Sequence, residues 1–312
     1  MEAENNQDGT FEIHGFELYE RLGEGTMGVV FRARHRLADA VVALKVLYPI
    51  LAGNMTYLQR FRAEADAAMA LSHPNLVKVI GYGQRGLTHF ICMEYVDGCN
   101  LREVLRRQGP LNETAAVVAG MCVASALHHA WEKSRLIHRD VKPENLLLSS
   151  NGTLKLCDLG IAKRIAVKPV DAPLTRIGHM LGTPHYMAPE QLKGAKELDC
   201  RVDIYALGAT LYHAATGQTI HVADNEFSLL MKQASEPVKD PRELLPGLNG
   251  RFAELLVQML ELDSARRPAN WLVVYDTLAA IYDELMRSSA AAKNCEVPDA
   301  NEAQSAKREA EL

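Results

Sequence analysis

A polar run in the middle of the chain extends from His138 to Asn145 and reads His-Arg-Asp-Val-Lys-Pro-Glu-Asn, with apolar residues on both sides. Pro143 excludes a regular helix here, because proline has no backbone N–H and its ring clashes with the preceding turn. The run therefore predicts a short loop between a helix and a hairpin. It holds an acid that could accept a proton, Asp140, and a base that could neutralise a phosphoryl group, Lys142. The amide oxygen of Asn145 could bind a hard cation.

The order of these residues matches H-R-D-x-K-P-x-N, the catalytic loop of protein kinases. A solvated turn is the usual interpretation of a polar run, but a match of this length is specific, and the chain therefore resembles a protein Ser/Thr kinase. The resemblance implies that Asp140 deprotonates the acceptor hydroxyl and that Lys142 steadies the γ-phosphate of ATP. It also implies that Asn145 is one ligand of Mg²⁺.

Composition limits the other classes of function. The chain has 312 residues, 48% of them apolar, which suffices for one large domain or two lobes around a cleft. A net charge of -5 does not indicate nucleic-acid binding. The longest apolar run, Ala115 to Trp131, contains two histidines and suits a buried helix, so no membrane span is predicted. An acidic N-terminus without an apolar core predicts no signal peptide, and scattered cysteines predict reduced thiols and a cytoplasmic location.

Three glycines at G-x-G-x-x-G spacing follow a strand-like segment that begins at Phe16. Dinucleotide-binding folds use the same spacing, but there the glycines open a helix. Here an alternating, β-branched segment follows, which predicts a hairpin. By the resemblance, this hairpin is a flap whose backbone N–H groups approach the phosphates of ATP. The predicted flap residues are Leu22, Gly23, Glu24, Gly25, Thr26, Met27, Gly28, Val29 and Val30.

Lys45 interrupts an apolar strand-like segment. Such a lysine is usually an edge residue whose ammonium reaches water. The local sequence Val-Ala-Leu-Lys, however, resembles the kinase strand whose lysine holds the α- and β-phosphates. That lysine needs a carboxylate partner, and Glu64 lies on the otherwise apolar face of a helix predicted over residues 56–71. Asp66 is the alternative carboxylate, but it lies off that face.

The adenine and ribose site is given by the resemblance alone. A strand from Phe90 runs into a hinge that ends near Gly98. Met93 is expected at the back of the pocket, and the backbone of Glu94 and Val96 is expected to bond the adenine edge. Asn100 is expected near the ribose, where kinases often carry an acid. Apolar contacts with the adenine are expected from Val30, Ala43 and Leu147.

Asp158 begins an Asp-Leu-Gly tripeptide shortly after the catalytic loop, where the kinase family usually has Asp-Phe-Gly. The tripeptide alone would predict a turn, but its position favours a metal ligand. The resemblance implies that Asp158 and Asn145 hold Mg²⁺, with Mn²⁺ as an alternative ion. Cys157 is interpreted as a packing residue, with thiol reactivity as the alternative.

Residues 158–190 form the predicted activation segment, which ends Gly-Thr-Pro-His-Tyr-Met-Ala-Pro-Glu. By the resemblance, Thr183 contacts Asp140 and Lys142 and helps to shape the substrate site. Glu190 needs a buried cation, and Arg267 is the partner that the family supplies. Asp203 is interpreted as a brace for the backbone of the catalytic loop.

Arg139 immediately precedes Asp140, which in this family marks kinases controlled by a phosphate on the activation segment. Thr175 has the only hydroxyl side chain between Asp158 and Gly182, and is therefore the predicted phosphosite. Lys163 and Arg60 would complete a cluster of cations around the phosphate. The alternative role for Arg139 is a structural base that bonds backbone carbonyls.

The resemblance implies an α+β fold with two lobes, a small antiparallel β-sheet with one helix and a larger, mainly helical lobe. The predicted kinase domain covers residues 15–286, with the small lobe over 15–96 and the large lobe over 97–286. Residues 1–14 are predicted to be a flexible tail, and residues 287–312 a polar tail that is disordered or weakly helical. Within the large lobe, Asn112 is predicted to cap a long helix that ends near Lys133.

The predicted function is ATP-dependent phosphorylation of Ser and Thr in protein substrates, with autophosphorylation. The particular residues of these motifs resemble those of bacterial eukaryotic-like Ser/Thr kinases. A pseudokinase scaffold that binds ATP and partners without transfer is one alternative, and a small-molecule kinase such as an aminoglycoside phosphotransferase is another. The oligomeric state, the upstream signal and the possibility of a longer parent protein stay open.

Overall fold

The computed structural model describes residues 13–25, 28–158 and 184–295. The small lobe is an antiparallel sheet with the strand order β1-β2-β3-β5-β4. Its strands are Phe16–Glu24 (β1), Gly28–His35 (β2), Ala40–Leu47 (β3), Val79–Arg85 (β4) and Thr88–Glu94 (β5). A short helix, Pro49–Ala52 (α1), precedes Met55–Met69 (α2), which packs against β4.

Alternation of side chains gives this sheet two buried faces. The outer face forms a small cluster around Val29, Leu44 and Val46, which Ile13 covers. The inner face carries Ala43 and is continuous with the core of the large lobe. The nucleotide cleft predicted from sequence therefore lies on the inner face.

The large lobe contains a small sheet and a set of helices. Its strands are Gly98–Asn100 (β6), Leu146–Ser149 (β7) and Leu154–Leu156 (β8). Its helices are Leu101–Gln108 (α3), Glu113–Ser134 (α4), Pro189–Leu192 (α5), Arg201–Thr216 (α6), Glu226–Ser235 (α7), Gly250–Met259 (α8) and Trp271–Cys295 (α9). The architecture confirms the predicted two-lobed α+β fold.

The predicted cap of the long helix is confirmed. The side chain of Asn112 accepts a hydrogen bond from the backbone N–H of Ala115 at 2.8 Å, which satisfies one of the unpaired donors at the start of α4. The helix packs against α6 and α9. The helix thus crosses the core of the large lobe and leads into the catalytic loop.

The apolar stretch for which the sequence predicts a buried helix, and no membrane span, lies in α4. By length and composition alone this described helix could cross a membrane, and half of its apolar 18-residue window is buried. Val117, Val123 and Leu127 lie in the common core with other helices of the lobe. The alanine-rich composition that suits a membrane also lets helices approach closely, and in this structure α4 serves as a core helix.

The last helix continues past the predicted boundary at residue 286 and ends at Cys295. Alanine is the best helix former, and the run Ala290-Ala291-Ala292 favours this extension of the helix. The remainder of the predicted C-terminal tail and most of the N-terminal tail lie outside the described residues.

Backbone hydrogen bonds join the two lobes beside the predicted site. Val77 N–H donates to the carbonyl of Leu156 at 2.9 Å, and Leu156 N–H donates to the carbonyl of Asn75 at 2.8 Å. The ammonium of Lys155 lies 2.8 Å from the carboxylate of Glu94. The segment before Asp158 is thus fixed to the small lobe.

Candidate active site

Asp203, a buried residue in the first turn of α6, holds the catalytic loop by its backbone. Its two carboxylate oxygens accept hydrogen bonds from the N–H groups of His138 and Arg139, both at 2.6 Å. Arg139 has a φ of 63°, a left-handed conformation that costs a non-glycine residue roughly 1–2 kcal/mol. The two bonds stabilise this conformation, so Asp203 makes the backbone contacts that the sequence predicted for a brace.

The charge of Asp203 is itself affected by its surroundings. Burial raises the pKa of Asp203 to about 7, although hydrogen bonds from the backbone of Arg139 and His138 act in the opposite direction. The protonation of this carboxyl group therefore changes near neutral pH.

His138 connects the catalytic loop to the residue before Asp158. Its Nε2 lies 2.9 Å from the carbonyl oxygen of Cys157, and its Nδ1 accepts from the backbone N–H of Asp140 at 3.2 Å. Since Nδ1 accepts, Nε2 carries the proton. His138 has no solvent exposure. No role is predicted for this histidine from sequence, although its place at the head of the motif is a signal for one.

Asp140 and Lys142 lie side by side, as their proposed roles require. The Lys142 ammonium is 3.1 Å from the Asp140 carboxylate, and both side chains are mostly buried. Pro143–Asn145 forms a single 3-10 turn in the predicted loop. The amide nitrogen of Asn145 donates to the carbonyl of Asp140 at 2.7 Å, which leaves its amide oxygen as the atom that would bind a cation.

Lys45 on β3 contacts Asp158 directly, with 2.7 Å between ammonium and carboxylate. The charge of Lys45 lowers the pKa of Asp158 in spite of burial. Burial acts to lower the pKa of Lys45, but the charge and the hydrogen bond of Asp158 outweigh it and raise that pKa. Asp158 also has a left-handed φ of 55°. The side chain of Glu64, the predicted partner of Lys45, lies outside the described residues.

The residues expected around adenine lie in one apolar region of the cleft. Ala43 and Met93 are cross-strand partners on β3 and β5. Val30, Val96 and Leu147 pack against the same core cluster. Together they could cover both faces of a flat, apolar ring.

Two side chains near this region are already engaged. The Glu94 carboxylate accepts from the Lys78 N–H at 2.8 Å and pairs with Lys155, so only its backbone is available to adenine. Asn100 caps α3, because its side chain accepts from the Glu103 N–H at 2.9 Å and donates to the Glu103 carboxylate at 3.2 Å. A contact of Asn100 with ribose would compete with this cap.

The predicted flap is a hairpin between β1 and β2, in which Gly25 N–H donates to the Gly28 carbonyl at 2.9 Å. A Cβ on Gly28 would lie 1.8 Å from the carbonyl oxygen of Val46. The close approach of β2 to β3 therefore requires glycine at this position, independently of any contact with phosphates. Gly23 has open space around its Cα. Thr26 and Met27 lie outside the described residues.

Three other flap residues have distinct environments. The side chain of Val29 points to the outer face of the sheet and is 1% exposed, so the expected contact with a nucleotide is limited to its backbone. Strand alternation is the reason, since Val30 takes the inner face. Leu22 is exposed, and the Glu24 carboxylate accepts a hydrogen bond from the Tyr48 hydroxyl.

Glu190 in α5 and Arg267, which precedes α9, form a bidentate ion pair. Two guanidinium nitrogens lie 2.6 and 2.9 Å from the two carboxylate oxygens. Arg267 also donates to the carbonyl of Glu261 at 2.7 Å and lies over the ring of Tyr205 at 4.8 Å. The pair that the sequence predicted is therefore present and buried, and it fixes the start of α5.

Thr175, Thr183 and Lys163 lie outside the described residues, as does the side chain of Arg60. Within the described ranges, no three side chains of His, Cys, Asp or Glu form a group that could hold a metal alone. A cation at Asn145 and Asp158 would thus need further oxygens, which phosphates supply.

The comparisons with known proteins agree with this geometry. A family model described as "Protein kinase domain" matches residues 16–278. The chain is 39% identical over 278 residues to serine/threonine-protein kinase pkn3 of Myxococcus xanthus, covering 86% of this chain and 50% of that protein. It is 35% identical to PknD of Mycobacterium tuberculosis (strain ATCC 25618 / H37Rv), covering 88% of this chain and 40% of that protein.

Solved structures give the same result. The crystal structure of the Mycobacterium tuberculosis PknI kinase domain has a TM-score of 0.67 and 27% sequence identity, and the match covers 86% of this chain and 97% of that one. The chain spans half or less of the length of the curated relatives named above.

Proposed function

Because this chain belongs to the bacterial serine/threonine-protein kinase family, we propose that it transfers the γ-phosphate of ATP to Ser and Thr side chains of proteins. The observation that carries the proposal is the convergence of two acids on one cleft. Asp140 comes from the catalytic loop and Asp158 from the end of β8, and His138 bonds both segments. Phosphoryl transfer requires positioning and charge neutralisation rather than covalent chemistry, and this arrangement suits both requirements.

In the proposed reaction, Asp140 accepts the proton of the acceptor hydroxyl. Lys142, 3.1 Å away, neutralises charge on the transferred phosphoryl group. The same lysine holds the Asp140 carboxylate in place before substrate binds. Lys45 binds the α- and β-phosphates, and Glu64 is proposed to orient it. The backbone of the flap would close over the phosphates.

The family uses ATP with a divalent metal ion, and we assign Mg²⁺ to the oxygens of Asn145 and Asp158, with Mn²⁺ as an alternative. These are hard oxygen donors, which such cations prefer. When bound, the ion neutralises phosphate charge. Asp158 is held ionised for this purpose, because the charge of Lys45 lowers its pKa. The apolar region between Ala43, Met93 and Leu147 would hold adenine.

The complete set of predicted catalytic and metal-binding residues supports an enzyme over a scaffold that only binds ATP. Lys45, Asp140, Asn145 and Asp158 are all present, and a scaffold would have no need of the Asp140–Lys142 pair. The buried Glu190–Arg267 pair supports protein acceptors over small molecules, since it fixes the segment that follows Thr183, the residue predicted to shape the substrate site. A cytoplasmic location, where ATP and reduced thiols coexist, is part of the proposal.

The experiment that tests the function measures phosphate transfer by wild-type protein and by Asp140→Asn. The variant should retain its fold and ATP affinity, since no proposed nucleotide ligand is removed, and its turnover should fall about 10²-fold or more, the scale of general-base loss. Asp224→Asn, an exposed aspartate, is the matched control. A wild-type rate in Asp140→Asn would remove the proposed base, and transfer to aminoglycosides but not to proteins would support the small-molecule alternative.

A further inference from the structure

We propose that Arg102 on α3 determines peptide specificity by occupying the carboxylate of Glu144, an inference that rests on the proposed function. Arg102 Nη1 lies 3.3 Å from Glu144 Oε1. Glu144 directly precedes Asn145 and follows Lys142 by two residues, so it belongs to the catalytic loop. The carboxylate of this pair therefore lies close in sequence to the residues that are proposed to act on the acceptor hydroxyl.

The pair faces the segment that follows the predicted substrate residue Thr183. Burial first, and then the charge of Arg102, lower the pKa of both His185 and His213. The hydroxyl of Tyr186 lies 2.8 Å from His213 Nδ1 and is within electrostatic range of Arg102 and Glu144. Arg102 and Glu144 therefore lie close enough to His185 and Tyr186 to affect them electrostatically.

Residues 184–188 are held firmly by the large lobe. The buried side chain of Gln233 on α7 donates to the carbonyls of His185 at 3.0 Å and of Met187 at 2.9 Å. Tyr186 is buried, and Gln191 accepts from the N–H of Ala188 at 3.0 Å. A peptide that lies along this fixed backbone would meet the charged side chains of Arg102 and Glu144.

The exposure of the pair argues against a purely structural role. The side chain of Arg102 is 53% exposed and that of Glu144 is 31% exposed, and ion pairs at such positions contribute little to folding. The second oxygen of Glu144 has no solvent contact and no hydrogen-bond partner in the described part of the chain. A basic peptide side chain could pair with this carboxylate only by displacing Arg102. The site is therefore expected to disfavour Arg and Lys beside the acceptor hydroxyl.

The test uses peptides that differ at one position beside the acceptor, which carries Arg, Ala or Glu. The measured quantity is the ratio of kcat/KM for the Arg peptide to that for the Ala peptide. Arg102→Ala should raise this ratio about 3- to 10-fold, because it leaves Glu144 unpaired and able to attract a basic side chain. Adding Glu144→Gln should abolish the gain. Arg102→Lys should keep the wild-type ratio, since it retains the charge.

Arg106→Ala on the exposed side of the same helix is the matched control and should leave the ratio unchanged. If Arg102→Ala phosphorylates the Ala peptide but its ratio of kcat/KM for the Arg peptide to that for the Ala peptide stays at the wild-type value, the specificity inference is overturned and the proposed function stands. If wild-type protein phosphorylates no peptide or protein, the proposed function and the inference are overturned together.

Discussion

Lys45 and Asp158 lie 2.7 Å apart, and their contact joins the small-lobe strand β3 to the residues that follow β8. Each of the two charges stabilises the other in a site where burial disfavours both. Asp158 adopts a left-handed backbone conformation, which requires support from its surroundings. Lys45 therefore positions a proposed metal ligand, in addition to its proposed role in binding phosphates.

The first prediction concerns this lysine. Lys45→Met should lower phosphate transfer about 10²-fold or more, because a charge proposed to bind the phosphates is lost. Glu64→Gln should cost less, since Glu64 is proposed to act only through the position of Lys45. Lys196→Met, at an exposed lysine, controls for the change of residue type. Initial rates of phosphate transfer at saturating ATP measure both effects. A larger loss of rate in Glu64→Gln than in Lys45→Met would contradict the proposal that Glu64 acts only through Lys45.

The second prediction concerns the pair of Arg267 and Glu190. Arg267→Met should lower the free energy of unfolding by about 3–5 kcal/mol, because a buried pair loses one partner. Arg267→Lys should also destabilise, since lysine cannot form the two parallel bonds or satisfy the nearby carbonyls. Urea denaturation measures both effects.

Arg251 is the control for this substitution, because its contact with Glu284 is of similar length, 2.7 Å, but largely exposed. Arg251→Lys should change stability far less than Arg267→Lys. Equal effects at the two sites would show that burial of the Glu190 pair has no special importance.

Much of this site could be predicted from sequence, because its motifs are local and each has a distinct chemistry. The contacts of Asp203 with the catalytic loop and the pair of Arg267 with Glu190 were expected in this way, and the structure contains them. The cap formed by Asn100 had a signal that was not used: a glutamate three residues later is typical of a capping box.

Other features depend on packing and could not be obtained from motifs. The orientation of Val29 follows from which face of the sheet the core covers. The bonds of His138 to Cys157 and Asp140 require a tertiary contact between two distant segments. The composition of α4 alone does not separate a membrane helix from a core helix, and its neighbours in the fold make the difference.

The third prediction concerns Thr175, which lies outside the described residues. If Arg139 binds a phosphate on the activation segment, autophosphorylation should map to Thr175 and raise activity. Thr175→Ala should remain a slow kinase, whereas Thr183→Ala should fail because the substrate site is lost. Intact mass and peptide mapping of active protein provide the test, and full activity with unmodified Thr175 would exclude the switch.

The last prediction concerns the pH dependence of stability at Asp203. Its pKa rises from 3.8 to about 7 on folding, so between these values the native state holds a proton that the unfolded state has released. The free energy of unfolding should therefore gain a contribution as pH falls through about 7. Asp203→Asn cannot titrate, so the stability difference between wild type and this variant should be larger at about pH 5.5 than at about pH 8.5.

Denaturant unfolding at both pH values measures this difference, and subtraction of the variant removes the contributions of all other titrating groups. Asp224→Asn, an exposed aspartate, should give a difference that barely changes with pH. A difference for Asp203 that does not change between the two pH values would contradict the prediction, because it would mean that the two backbone N–H groups keep the carboxylate ionised throughout. In that case the bonds to His138 and Arg139, at 2.6 Å each, outweigh the cost of burying the charge.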